Sequence, residues 1–155
     1  MTLQHNQLQF RRATQQDLPQ IIDLLSDDIL GNGREDSQNI KIYEEAFLEI
    51  SADKNNFLAV VELEKEIVGT CHLTLMPSLI MQGAKRLNIE AVRVKSTFRG
   101  QEIGHWMIEQ TIEFAKNNQA KIIQLTTNKQ RQDAQRFYQK LGFVASHEGM
   151  KLTLN

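Results

Sequence analysis

The stretch from Ile89 to Ala115, IEAVRVKSTFRGQEIGHWMIEQTIEFA, constrains this chain more than any other. It begins as a strand, with Val92 and Val94 supplying β-branched character. Lys95, Ser96 and Thr97 end the strand, and Arg99, Gly100 and Gly104 frame a turn. From Ile103 the apolar residues take helical spacing, with Met107 and Phe114 on one side and Ile108, Ile112 and Ala115 beside them. A strand that passes through such a loop into a helix makes an anion site. The first N–H groups of a helix have no partner inside it, and the helix dipole favours negative charge there. Glycines let that backbone come close to a phosphate.

Two common phosphate motifs do not fit. A Walker A loop ends in Gly-Lys-Ser/Thr, whereas His105 and Trp106 follow Gly104. A dinucleotide fingerprint needs three glycines, and only two are present. The frame Arg99, Gly100, Gln101, Glu102, Ile103, Gly104 instead resembles the acyl-CoA loop of the GNAT superfamily of N-acyltransferases, Gln/Arg-x-x-Gly-x-Gly/Ala. Arg99 and Gly104 match. Glu102 stands at the middle glycine and puts a carboxylate near the expected pyrophosphate, so it must point outward or weaken binding. Downstream, Ala134 to Phe143, AQRFYQKLGF, matches the family's A-x-x-F/L-Y-x-x-x-G-F ending. The two motifs stand in the family's order and separation, and the resemblance covers nearly the whole chain.

The totals fit one domain over residues 1–155, long enough to bury a substantial core. Hydrophobic content of 41% and charged content of 24% are ordinary for a soluble globular protein. A net charge of −1 argues against binding nucleic acid by bulk charge. The lone Cys71 rules out an internal disulfide, and the four histidines show no metal-ligand spacing, so no metal is expected. The N-terminal residues lack an apolar leader and no run approaches a membrane span. The expected location is cytoplasmic, with no membrane partner.

Along the chain, Leu8 to Arg12 reads as a first strand. Thr14 and Asp17 form an acidic variant of the capping box before a helix carrying Leu18, Ile21, Ile22, Leu25 and Ile29, with Pro19 in its first turns. Gly31, Asn32 and Gly33 break it, and a second helix runs from Ser37 to Ile50 with Ile40, Tyr43, Phe47 and Ile50 on one face. This region is acidic: Asp23, Asp27, Asp28, Glu35, Asp36, Glu44, Glu45 and Glu49 are offset only by Arg34 and Lys41. It is either a solvated face or a wall that attracts a cationic substrate.

Phe57 to Glu62 and Ile67 to Met76 read as strands around a turn at Glu64 and Lys65. Gly69 suggests a bulge or a close backbone contact. Cys71 reads as a buried inert thiol, and His72, on the opposite face, as a structural or solvent-facing residue. Leu79, Ile80 and Met81 in the following loop either cover the core, line an acceptor pocket or make a homodimer contact. Arg86 to Val94 and Lys121 to Thr126 are the fourth and fifth strands. Arg131 to Leu141 is a helix with Gly142 as its left-handed cap. Phe143 to Ala145 and Met150 to Leu154 read as a final hairpin. This order suggests an α+β or mixed α/β domain around one sheet. The resemblance implies the GNAT fold: a mixed, mostly antiparallel sheet of six or seven strands, four flanking helices, and fourth and fifth strands that splay apart.

The resemblance also implies a chemistry, transfer of an acetyl group from acetyl-CoA to a primary amine of a small molecule or protein. The amine must be neutral, the developing oxyanion needs a donor, and the leaving thiolate needs a proton. The fourth-strand backbone at Val92, Arg93 and Val94 would hold the pantetheine and polarise the acyl carbonyl. Amides from Arg99 through Gly100, Gln101, Glu102, Ile103 and Gly104 to His105 would hold the pyrophosphate, with Arg99 adding charge. Glu90 is the candidate base, acting through water; its alternative is a salt bridge with Arg93 or Arg86. In an ideal strand Glu90 shares a face with Val92 and Val94, which suits a carboxylate only beside a cleft or a bulge. Tyr138 is the candidate acid, or a core tyrosine whose hydroxyl finds a local partner. Asn128 and Arg131 would bond the pantetheine or phosphates, or else serve the start of the helix. Two other readings compete: an acyl-CoA-binding regulator without turnover, and a nucleotide-binding module.

Overall fold

The computed structural model describes residues 3–27 and 33–155. Asp28, Ile29, Gly31 and Asn32, used in the sequence reading, lie outside them. The chain separates into two compact units, 1–124 and 125–155, each of which is described by itself.

The first unit begins with β1 (Leu8–Arg12), which pairs antiparallel with β2 (Asn56–Leu63) from Leu8↔Leu63 to Arg12↔Ala59. Between them lie α1 (Leu18–Ser26) and α2 (Ile40–Ala52). The capping box forms: Thr14 donates its backbone N–H to Asp17 Oδ2 at 2.7 Å, and its hydroxyl approaches the same oxygen at 3.2 Å. Asp17 also receives a two-pronged bond from Arg11, at 2.8 and 3.0 Å, so the end of β1 is tied to the start of α1.

β2 turns into β3 (Glu66–Met76) through Glu64 and Lys65, both with positive φ, 47° and 69°. That mirror-image turn matches the right-handed twist of the flanking strands. Gly69 fulfils both expectations placed on it. The register slips between Val61 and Glu62 beside it, and a Cβ there would lie 3.4 Å from the Arg93 carbonyl oxygen. β4 (Arg86–Val94) pairs antiparallel with β3, and β5 (Ile122–Leu125) lies beside β4, giving the order β1-β2-β3-β4-β5. Between β3 and β4 a one-turn element, α3 (Ile80–Gly83), carries left-handed Met81 and Gln82. Leu79, Ile80 and Met81 are 95%, 60% and 65% exposed there, so they do not cover the core.

α4 (Ile103–Asn117) packs on one sheet face through Ile103, Met107, Ile108, Thr111 and Ala115, all buried. Cys71 on β3 reaches Thr111 at 3.9 Å, and burial pushes its thiol up to about 12, the inert state expected. The other face carries Ala13, Ile21, Leu24, Val60 and Ile67, with Leu25, Phe47 and Leu58 packed against them. Truncating such a buried side chain costs about 2–5 kcal/mol, so these two layers hold β3 and β4 in place.

The second unit contains α5 (Gln132–Lys140). Gly142 is left-handed at φ 98°; its N–H bonds Gln139 O, and that of Phe143 bonds Tyr138 O, each at 3.1 Å. These two bonds form a Schellman cap, as the glycine predicts. The expected hairpin does not form. Among the described residues the sheet has five strands, not six or seven, and residues 143–155 have no strand structure. Val144, Met150, Leu152 and Leu154 are each more than 80% exposed. Alternating apolar residues favour a strand, yet a strand needs a partner to take up its backbone hydrogen bonds. No helix among the described residues is long and apolar enough to cross a membrane.

Candidate functional site

The fourth strand carries an extra residue where the sequence offers no glycine. Thr70 pairs with Arg93 and His72 with Glu90, so Cys71 alone faces both Ala91 and Val92. Ala91 has φ 54°, a conformation that costs a non-glycine residue about 1–2 kcal/mol. The bulge solves the problem that alternation posed for Glu90. Ile89 and Val94 stay on the face of Leu73 and Gly69, while Glu90 moves to the face of His72. Glu90 is exposed and accepts a long hydrogen bond from Asn88 Nδ2 at 3.4 Å. Arg93 turns Nη1 back to the Val92 carbonyl at 2.9 Å.

Lys95 closes the strand by donating its N–H to Val68 O at 2.8 Å. A short 3-10 turn at Ser96–Phe98 leads into the loop. Gly100 has φ 80° with nothing within 4 Å of a Cβ, and Glu102 has φ 66°. Glu102 is the residue before α4, and no side chain caps that helix. Its first N–H groups therefore remain open to an anion. Buried Ile103 anchors the first turn, Gly104 is its second residue, and His105 turns its ring to Glu109 at 3.1 Å. Gln101 and Glu102 are exposed, and exposed Arg99 lies 3.4 Å from the Asp27 carbonyl. The structure thus brings Glu90, Val92 to Val94 and Arg99 to His105 into one continuous strand–loop–helix.

On the α1/α2 face lies a cavity of about 130 Å³. Its wall includes Leu18, Ile22, Phe47, Leu58, His72 and Ala91. His72 Nε2 lies 2.6 Å from Asn56 Oδ1. Burial lowers the pKa of His72 below 6.5, while the charge of Glu90 pulls it the other way. Sequence reasoning gave His72 no part in the site. The one available sign was its place in a polar row, Thr70, His72 and Thr74, within an otherwise apolar strand. None of the acidic residues of α1 and α2 lines this cavity. Asp23, Asp27, Glu45 and Glu49 are exposed.

In the second unit, Asn128 accepts the Gln130 N–H on Oδ1 at 2.9 Å and the Arg131 N–H on its carbonyl at 2.8 Å. It therefore shapes the turn before α5, and Arg131 is that helix's N-cap residue. The Tyr138 ring meets Phe137 and Phe143 edge-on at 5.1 and 5.6 Å. Among the described residues no group of three or more His, Cys, Asp or Glu could hold a metal ion.

Residues 18–143 match the acetyltransferase (GNAT) family. The chain belongs to that family, whose members typically use acetyl-CoA. It is similar to a transcriptional regulator from Bacillus halodurans C-125, with 47% identity, 95% of this chain and 99% of that one covered, and a TM-score of 0.91. Two further structures share the fold. Glucosamine-6-phosphate N-acetyltransferase from Arabidopsis thaliana is 20% identical, with 96% and 99% covered and a TM-score of 0.75. A GNAT family acetyltransferase from Staphylococcus aureus subsp. aureus USA300_TCH1516 is 21% identical, with 96% and 99% covered and a TM-score of 0.76. No curated protein matches the chain.

Proposed function

We propose that this protein is an N-acetyltransferase that moves an acetyl group from acetyl-CoA to a primary amine by direct attack. The observation that carries the reading is the uncapped start of α4 behind left-handed Gly100 and Glu102. This cradle fits a pyrophosphate: its N–H groups are open, and Arg99 adds a cation at its edge. When bound, acetyl-CoA supplies an acetyl thioester. The amides from Arg99 to His105 hold its phosphates, and the backbone of Val92, Arg93 and Val94 lies along its pantetheine. The bulge at Ala91 leaves backbone groups that can orient the acyl oxygen.

Glu90 supplies the negative charge that draws the acceptor ammonium to the site. Tyr138 donates a proton to the leaving thiolate; its ring is held edge-on between two phenylalanines. Asn128 retains its amide nitrogen as a donor to the cofactor, and Arg131 adds a second cation. The test is thiol release from acetyl-CoA over a panel of amines, with a thermal-shift comparison against ATP. A melting temperature raised by acetyl-CoA and amine-dependent thiol are expected. A shift with ATP alone would return the site to a nucleotide module.

A second reading, an acyl-CoA-binding regulator, draws on the Bacillus halodurans relative described as a transcriptional regulator. It predicts the same thermal shift and no thiol release with any amine.

A further inference from the structure

Asn56 fixes which nitrogen of His72 carries the proton. Its amide nitrogen donates to Asp53 Oδ2 at 2.9 Å, so its oxygen is turned to the imidazole. That oxygen accepts from Thr74 Oγ1 at 3.2 Å and lies 2.6 Å from His72 Nε2. A carbonyl oxygen only accepts, so Nε2 bears the hydrogen and Nδ1 keeps the lone pair.

The other polar groups of the cavity are already used. Thr70 donates its hydroxyl to Ala59 O at 2.7 Å. Tyr43 Oη accepts the Asp36 N–H at 2.8 Å and donates to Glu35 at 3.1 Å. Among the described residues of the wall, the imidazole is thus the one uncommitted side-chain proton acceptor. Around it stand Leu18, Ile22, Phe47, Ile50 and Leu58, which take alkyl or aromatic surface and give nothing to a second charge.

We propose that His72 Nδ1 takes the proton of the acceptor ammonium, and that this acceptor is a primary amine with a compact apolar body. The proposal rests on the acetyltransferase reading and deepens its acceptor site. One N–H bond of the ammonium breaks and an Nδ1–H bond forms. The electron pair stays on the amine nitrogen, and the imidazolium later returns its proton to solvent. Burial keeps the ring neutral near pH 7, so the lone pair is available.

The charges that face the ring come from several elements. Glu90 lies opposite it on β4, with Arg93 the next paired residue toward the loop. Asp53 acts through Asn56, and Glu35 stands behind Tyr43 of α2. α1 contributes only apolar side chains to the wall. Glu90 therefore stabilises the imidazolium rather than taking the proton itself.

The experiment compares n-butylamine, benzylamine and spermidine as acceptors with acetyl-CoA, and follows kcat/KM across pH for the wild type, His72→Gln and Glu90→Gln. The apolar monoamines are expected to exceed spermidine by at least about tenfold, and His72→Gln to lose about 10²–10⁴-fold together with the acidic limb of the profile. Glu90→Gln should move that limb to lower pH. An acidic limb that survives in His72→Gln and vanishes in Glu90→Gln overturns the proposal. So does a preference for spermidine, which leaves the acetyltransferase reading standing. Absence of both acetyl-CoA binding and thiol release overturns both.

A measurement on the unaltered protein guards against a variant that fails to fold. Nitrogen-15 spectra of the His72 ring should show the Nε2–H tautomer and titration below pH 6.5, and Asn56→Leu should release the tautomer preference. An Nδ1–H tautomer in the wild type overturns the proposal.

Discussion

Gly100 and Glu102 place their backbones in the same left-handed region, with φ of 80° and 66°, two residues apart at the mouth of α4. The glycine adopts this conformation without cost; the glutamate adopts it against the clash of its Cβ with the backbone. Glu102 also sets a carboxylate at the helix end where an anion would bind. Glu102→Gly should therefore tighten binding of CoA about 2–5-fold, since a charge at a helix end is worth about 0.3–1 kcal/mol. Calorimetric titration at low salt checks this, and the gain should shrink as salt rises. Weaker binding would mean that the carboxylate does not oppose the ligand.

Gly104 is the second residue of α4. An aspartate there suits the helix dipole, so Gly104→Asp should leave the melting temperature of the free protein unchanged or raise it slightly. The same substitution adds charge and bulk at the phosphate cradle. The rise in melting temperature caused by acetyl-CoA should disappear. A shift as large as that of the wild type would move the phosphates away from this loop.

Tyr138 packs by its ring, between Phe137 and Phe143. Tyr138→Phe preserves those contacts and removes only the hydroxyl. The variant should bind acetyl-CoA like the wild type and lose about 10²–10⁴-fold in kcat, because the proton is needed only as charge builds on sulfur. Steady-state rates on a good acceptor decide it. An unchanged kcat returns the tyrosine to a packing role.

Local patterns in the sequence carried much of this structure. β1, the Thr14 and Asp17 box, the β2–β3 turn, the amphipathic run of α4 and the Gly142 cap each depend on residues close together in the chain. The bulge at Ala91 was not legible, because no glycine marks it and its cause lies in pairing with β3. The same pairing decides which face Glu90 takes. His72 was missed for a related reason: its partner Asn56 is sixteen residues away, and the cavity it lines is assembled from α1, α2 and three strands. The last hairpin, expected over Phe143 to Ala145 and Met150 to Leu154, failed because local sequence describes what a strand would present and not what it would pair with. The acidic run of the early helices was legible as charge, but among the described residues none of its side chains lines the cavity.

The final prediction concerns acid stability. Asp17 is 6% exposed and is gripped by Arg11 and Thr14. The Arg11 hydrogen bonds hold its carboxyl below the ordinary 3.8, against the opposing effect of burial. A depressed carboxyl contributes stability that is fully present above 3.8 and is lost as pH falls through the folded value. Asp17→Asn keeps an oxygen for the Thr14 N–H and removes the charge that Arg11 needs. Arg11 retains Glu62 at 2.9 Å and is partly exposed, so the loss should be about 1–3 kcal/mol rather than that of a fully buried pair. Urea unfolding near neutral pH should show that gap, and a second series at acid pH, below the lowered folded value, should show it closed because the wild-type carboxyl is then protonated as well. A gap of equal size at both pH values would show that Asp17 stabilises the turn through shape and not through its charge.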